Sequence, residues 1–235
     1  QHDTRTFAQA LGWYPAIGLL IGGLLLALDR GLSELLPAAP VAALLVTALA
    51  LLSGGLHLDG VADTADGMAV QGEQSRRLEV MRTGDIGPAG VMAVVLVLLV
   101  EWSALVSLED PIRSGALLLA PALARWAVVP VALAFGPARP DGLGQTIREG
   151  LAPIAAPLST LITLVASVLL FGAGGPLVLL ATLIAALIVA GAAARLFGGV
   201  TGDVFGAAIE VSQAVAWLAL LVAQQRDWLD PTLLS

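Results

Sequence analysis

The chain has no cysteine among its 235 residues, all its basic side chains are arginine, and only 12% of it is charged. Without thiols there is no disulfide framework, no thiolate metal site and no sulfur nucleophile. With so few charges, a water-soluble domain of this length is excluded. Hydrophobic residues make up 58% of the chain, and the mean hydropathy is +0.92, so the bilayer is its natural solvent. A crossing helix needs about 20 mostly apolar residues. The length therefore holds about seven crossings and leaves no room for a separate soluble domain.

The fold class that follows is all-α, a polytopic integral membrane helix bundle of about seven transmembrane helices, with 1–235 forming a single transmembrane catalytic domain. Apolar runs broken by glycine, proline and charge predict spans near 11–28, 38–56, 89–108, 114–136, 153–172, 176–195 and 207–224. The first ten residues are polar and do not read as a cleavable signal. The chain starts without methionine, and some N-terminal residues are expected to be missing. The formal charge of −7 matters less than where the charges stand. With the N-terminus inside, Arg5, Arg76, Arg77, Arg82, Arg139, Arg148 and Arg195 fall in cytoplasmic segments, against Arg30, Arg113 and Arg226 outside. Stretches 57–88, 137–152 and 196–206, which carry most of the polar residues, then face the cytoplasm. The expected location is the inner membrane. Polar groups gathered at one face suit an enzyme better than a transporter, whose sites lie near the midplane.

The second span closes on Gly54-Gly55-Leu56-His57-Leu58-Asp59-Gly60-Val61-Ala62-Asp63-Thr64-Ala65-Asp66-Gly67. Asp59, Asp63 and Asp66 stand at i, i+4 and i+7, which lines them on one helix face at about 100° per residue. Three co-facial carboxylates repel unless a cation neutralises them. Oxygen ligands suit Mg²⁺, Mn²⁺ or Ca²⁺, and Mg²⁺ commonly combines one or two carboxylates with substrate phosphate oxygens. The plain alternative is a solvated helix end. His57, two residues before Asp59, is a candidate general base or a satisfied polar residue; an aspartate could do the same work.

Beyond this motif, Arg76 and Arg77 either grip phosphate or only fix topology. Arg82 and Asp85 beside the Gly84 and Gly87 turn read as functional. Gly198-Gly199-Val200-Thr201-Gly202-Asp203 repeats the spacing of glycine pair to acid in the first motif and brings Asp203 to the same face, with Glu210 seven residues on. Glu101 and Arg125 sit inside spans at similar depth. They either pair, the cheapest way to bury both, or Arg125 reaches the site and holds an anionic substrate.

The motif over 54–67 resembles the signature of the cobalamin-5′-phosphate synthase (adenosylcobinamide-GDP ribazoletransferase) family. The likeness continues in Leu78-Glu79-Val80-Met81-Arg82 with Ile86-Gly87, in Arg125-Trp126, in Ala138-Arg139-Pro140 with Gly142-Leu143-Gly144, and over 198–203. The resemblance implies the assembly of the nucleotide loop of vitamin B12. In that step a ribose hydroxyl of α-ribazole or its 5′-phosphate attacks the phosphate joining cobinamide to GMP, and GMP leaves. Mg²⁺ is the implied cofactor, with Asp59, Asp63, Asp66 and Asp203 as metal residues. Arg82, Asp85, Arg76, Arg77, Arg125, Arg139 and Thr201 are the implied substrate contacts. Two departures stand out. The family commonly reads Met-Arg-Asp-Ser-Arg-Ile-Gly where this chain has Met81-Arg82-Thr83-Gly84-Asp85-Ile86-Gly87, so the acid is displaced by two positions. An N-terminal segment with a Phe-Leu-Thr-Arg-Leu-Pro-like core is also not seen before Gln1.

The rival enzyme class is a CDP-alcohol phosphotransferase, whose Asp-Gly is followed by Ala-Arg; here Asp63 follows Ala62. The rival outside enzymes is a cation transporter. Besides its two substrates and the lipid bilayer, other nucleotide-loop assembly enzymes and a second copy of the chain are open as partners. No nucleic-acid partner is expected.

Overall fold

The computed structural model describes residues 10–231; Arg5 of the topology count lies outside them. After a 3-10 turn at Leu11–Trp13 come α1 (Tyr14–Ser33), α2 (Ala38–Leu52), α3 (Leu56–Ala69), α4 (Gln74–Val80), α5 (Pro88–Ser107) and α6 (Ile112–Trp126). They are followed by α7 (Val128–Ala134), α8 (Leu143–Gly150), α9 (Ala155–Phe171), α10 (Gly175–Phe197) and α11 (Gly202–Gln225). The described residues form no strand, only one isolated parallel bridge between Pro137 and Val200. The all-α polytopic architecture read from the sequence is the one observed.

Five helical stretches are long and apolar enough to cross a membrane, and a sixth if α2 and α3 together make one bent span. One of the five, Ala155–Phe197, runs 43 residues, about 65 Å at 1.5 Å per residue and twice the hydrocarbon thickness. It breaks at Gly172, whose φ of 57° ends α9. The two halves pack against each other, with Gly175 tight against the Ser167 carbonyl. Counted as two crossings, they restore the seven expected.

Depth of burial sorts the helices. The Ile112–Ala134 stretch and α11 are 83% and 72% buried, against 22–33% for the other unbroken candidates. Thus α6–α7 and α11 form the interior, and the rest turn leucine and isoleucine outward to lipid. Close approach depends on small residues: a Cβ on Gly22 would lie 2.6 Å from the Leu117 carbonyl oxygen, which is why α1 can lie directly on α6.

Local chemistry also explains α3, the helix on which the acidic motif was expected. Gly54 and Gly55 both take left-handed φ values, 63° and 74°, which L-residues with side chains adopt poorly. The chain turns there by 87°. It then lies along the first turns of α11, where a Cβ on Gly60 would come 2.5 Å from the Asp203 carbonyl oxygen. The second glycine-acid element is therefore the packing partner of the first.

Candidate active site

Three segments converge at the start of α11. Thr201 caps that helix, its hydroxyl accepting from the Val204 N–H at 3.3 Å and donating to Asp203 at 3.1 Å. Asp203 sits in the first turn, where the helix dipole favours an anion. The segment before α8 is tied alongside: Ala138 N–H donates to Val200 O at 3.0 Å, and Val200 N–H to Gly136 O at 2.8 Å. This pairing carries Arg139 to the acids. A cleft of about 330 Å³ results, whose polar lining is Asp59, Arg139, Asp141, Thr201 and Asp203, with Leu56 and Leu143 among its apolar residues.

Electrostatically this end of the bundle is under-compensated. Asp63 does not line the cleft, but it feels the negative charges of Asp59, Asp203 and Asp66, opposed by Arg139. Among the described residues, the side chains of Asp59 and Asp63 have no hydrogen-bond or ion-pair partner, and Asp203 has only the Thr201 hydroxyl. Arg139 is itself held below its usual pKa, first by burial and then by the neighbouring charge of Arg82, while Asp203, Asp141 and Asp63 pull the other way. One guanidinium thus answers several carboxylates. Among the described residues no three His, Asp or Glu stand together as a group that could hold a metal ion by itself. Unpaired oxygen donors that leave positions for phosphate oxygens and water are the pattern that Mg²⁺ takes.

The three acids expected on one face divide. Asp66 is buried and faces the start of α5, where its carboxylate accepts from Gly87 N–H at 2.6 Å and from Gly90 N–H at 2.8 Å. Both oxygens are engaged there, so Asp66 caps α5 and fastens α3 to it. A Cβ on Gly87 would lie 2.5 Å from that carboxylate, which explains the glycine. The spacing of α3 could not show this, because the donors lie more than twenty residues away.

The arginines also separate. Arg76 pairs with Glu79 at 2.8 Å on an exposed helix face. Arg77 donates to the carbonyls of Gly67 and Met68 at 3.1 and 2.8 Å, where cations complement the helix C-terminus. For these two the structural alternative describes the contacts observed. Arg82 reaches Asp141 at 3.8 Å and shares with Arg139 a hollow of about 270 Å³ that also includes Ser75. Arg139 further donates to Leu78 O at 2.8 Å. Asp85 lies elsewhere, in a cavity of about 490 Å³ with Asp66, so the expected Arg82–Asp85 unit is split.

Inside the bundle Glu101 and Arg125 do not form the pair that was one of the two alternatives open for them. Glu101 accepts from Gln213 at 3.1 Å and its other oxygen has no partner among the described residues. Arg125 is 3% exposed, donates to the Pro121 carbonyl at 3.1 Å and feels the charge of Glu210. It is absent from the cleft lining, because the bundle interior solvates it through that carbonyl and Glu210. His57 lies against α11, its Nδ1 3.7 Å from Glu210 Oε2, and likewise does not line the cleft. Asp141, which does, went unremarked in the sequence; its only signal is its place between Pro140 and Gly142, three residues from the cleft's other wall at Gly144.

Comparison with known proteins identifies the family. The profile of the family described as Cobalamin-5-phosphate synthase matches residues 1–221. An adenosylcobinamide-GDP ribazoletransferase of Pseudomonas putida is 41% identical over 217 residues, covering 92% of this chain and 88% of that protein. Proteins of the same name from Roseiflexus sp. and Pseudomonas fluorescens are 35% and 38% identical over 215 and 213 residues, covering 92% and 90% of this chain and 80% and 87% of theirs. No solved structure matches the chain. The acidic helix, its glycine bend and the cleft at Asp203 are thus parts of an enzyme, and the chain belongs to the cobalamin-5-phosphate synthase family.

Proposed function

We propose that the protein is a Mg²⁺-dependent transferase of the inner membrane that joins adenosylcobinamide-GDP to α-ribazole or its 5′-phosphate and releases GMP. The observation that carries the mechanism is the surplus of carboxylate at one end of the bundle: Asp59 and Asp203 line the cleft with Arg139, and Asp63, outside the lining, lies within charge range of all three. Such a surplus is costly unless a cation and an anionic substrate complete it. One or two of Asp59, Asp63 and Asp203, with phosphate oxygens and water completing the shell, would hold Mg²⁺, which would neutralise the diphosphate charge. Arg139 and Arg82 receive phosphate oxygens that the carboxylates repel, and Thr201 keeps Asp203 oriented through its hydroxyl. Asp66 acts by position, holding α3 against α5.

In the reaction a ribose hydroxyl oxygen bonds to the phosphorus on the cobinamide side, the bond from that phosphorus to the GMP oxygen breaks, and GMP carries away the electron pair. The hydroxyl proton passes to a base on α3, for which the aspartates are better placed than His57, which packs against Glu210 outside the cleft lining. The reading that this end faces the cytoplasm rests on the arginine distribution. Arg76, Arg77, Arg82, Arg139 and Arg148 all lie in the segments flanking this cleft.

The test supplies membranes holding the protein with adenosylcobinamide-GDP, α-ribazole and Mg²⁺. GMP and a complete corrinoid are expected in equal amounts, and a chelator stops both. GMP release that persists undiminished in chelator would remove the metal from the reading. Absence of GMP would remove the transferase.

A further inference from the structure

The cavity of about 490 Å³ at the C-terminal end of α3 differs in kind from the cleft. Its apolar lining includes Val70, Val80, Ile86 and Pro88; its charged lining is Asp66 and Asp85, with no arginine. Asp66 already takes the N–H groups of Gly87 and Gly90, so a carboxylate rather than a phosphate sits at the N-terminus of α5. Asp85 is exposed, and among the described residues its side chain has no partner. An apolar slot with one free carboxylate repels phosphate and accepts a flat group that offers N–H donors.

The substrates of the proposed reaction contain one base of that description. Guanine presents N1–H and the N2 amine side by side, a pair that one carboxylate can accept with both oxygens. The benzimidazole of α-ribazole has no N–H and would leave Asp85 unpaired. Reach is adequate: Asp59 and Asp66 stand seven residues apart, about 10 Å along α3. A nucleotide whose phosphates lie at the cleft can therefore lay its ribose along this helix.

We propose that this cavity holds the guanine of the leaving GMP, with Asp85 accepting from N1–H and the N2 amine and so setting nucleotide specificity. The assignment rests on the transferase reading above. It also accounts for the separation of Arg82 from Asp85: one faces phosphate, the other the base.

Cobinamide-nucleotide donors carrying guanine or hypoxanthine, which lacks the N2 amine, test it in the full-length protein. Wild type is expected to favour the guanine donor about tenfold in kcat/KM. Asp85→Asn is expected to erase that preference through KM for the guanine donor, leaving the KM of α-ribazole unchanged. Binding of GMP and IMP to the detergent-extracted protein provides a readout independent of turnover: GMP affinity should fall about tenfold in Asp85→Asn, with IMP affected less. A preference retained in Asp85→Asn, or an effect confined to the KM of α-ribazole, overturns the assignment. Absence of nucleotide release from every donor by wild type overturns the transferase reading, and equal binding of GMP and IMP by wild type then overturns the base assignment as well.

Discussion

Acidic residues meet opposite fates at the two ends of this bundle. At the end where α1 finishes and α6 begins, Asp29 lies in a buried forked pair with Arg113, its oxygens accepting at 2.7 to 3.3 Å. Asp110 accepts from Arg30 at 2.8 Å and from Ser114 at 2.5 Å. At the other end, among the described residues, Asp59 and Asp63 have no such partner, and Arg139 is shared among several acids. In a medium where uncompensated charge is expensive, an acid with its own arginine serves the fold. Acids left to repel one another serve a ligand that is not part of the chain.

Substitutions break or sharpen this contrast. Asp63→Asn should lower GMP formation about a hundredfold or more while raising the thermal midpoint of the detergent-extracted protein, because it relieves repulsion. A lowered midpoint would mean that Asp63 belongs with the structural acids. Asp29→Asn should do the reverse: it leaves Arg113 buried and poorly paired at a cost of about 3–5 kcal/mol, seen as reduced yield and an earlier unfolding transition. Turnover per folded molecule should be retained. Asp66→Asn tests the member that crosses the divide. It weakens the α5 cap by about 1 kcal/mol and, by loosening α3, should reduce turnover less than Asp63→Asn does. Arg76→Ala should change neither stability beyond about 0.5 kcal/mol nor turnover beyond twofold, checked in the same two assays.

The sequence disclosed whatever depended on local pattern. Hydropathy marked the spans, the paired glycines at 54–55 marked a special turn, and the repeat at 198–203 correctly brought Asp203 to the first motif. What it concealed depended on partners distant along the chain. Helical spacing put Asp66 with Asp59 and Asp63, but the amides that claim it are on α5. Similar depth suggested that Glu101 meets Arg125, but depth carries no information on which way a helix faces, and Gln213 of α11 takes Glu101 instead. Two neighbouring arginines look alike as letters; Arg77 is drawn to the carbonyls that end α3, while Arg76 stays in solvent.

The glycine contact between α3 and α11 has a further consequence. Because Gly60 meets the Asp203 carbonyl with no side chain between them, the separation of the two acid-bearing helices is gauged by main chain against main chain. Side chains around the cleft can then drift in size and polarity without altering that gauge. A single added methyl at Gly60 would shift it, moving every carboxylate on one side relative to Asp203 at once.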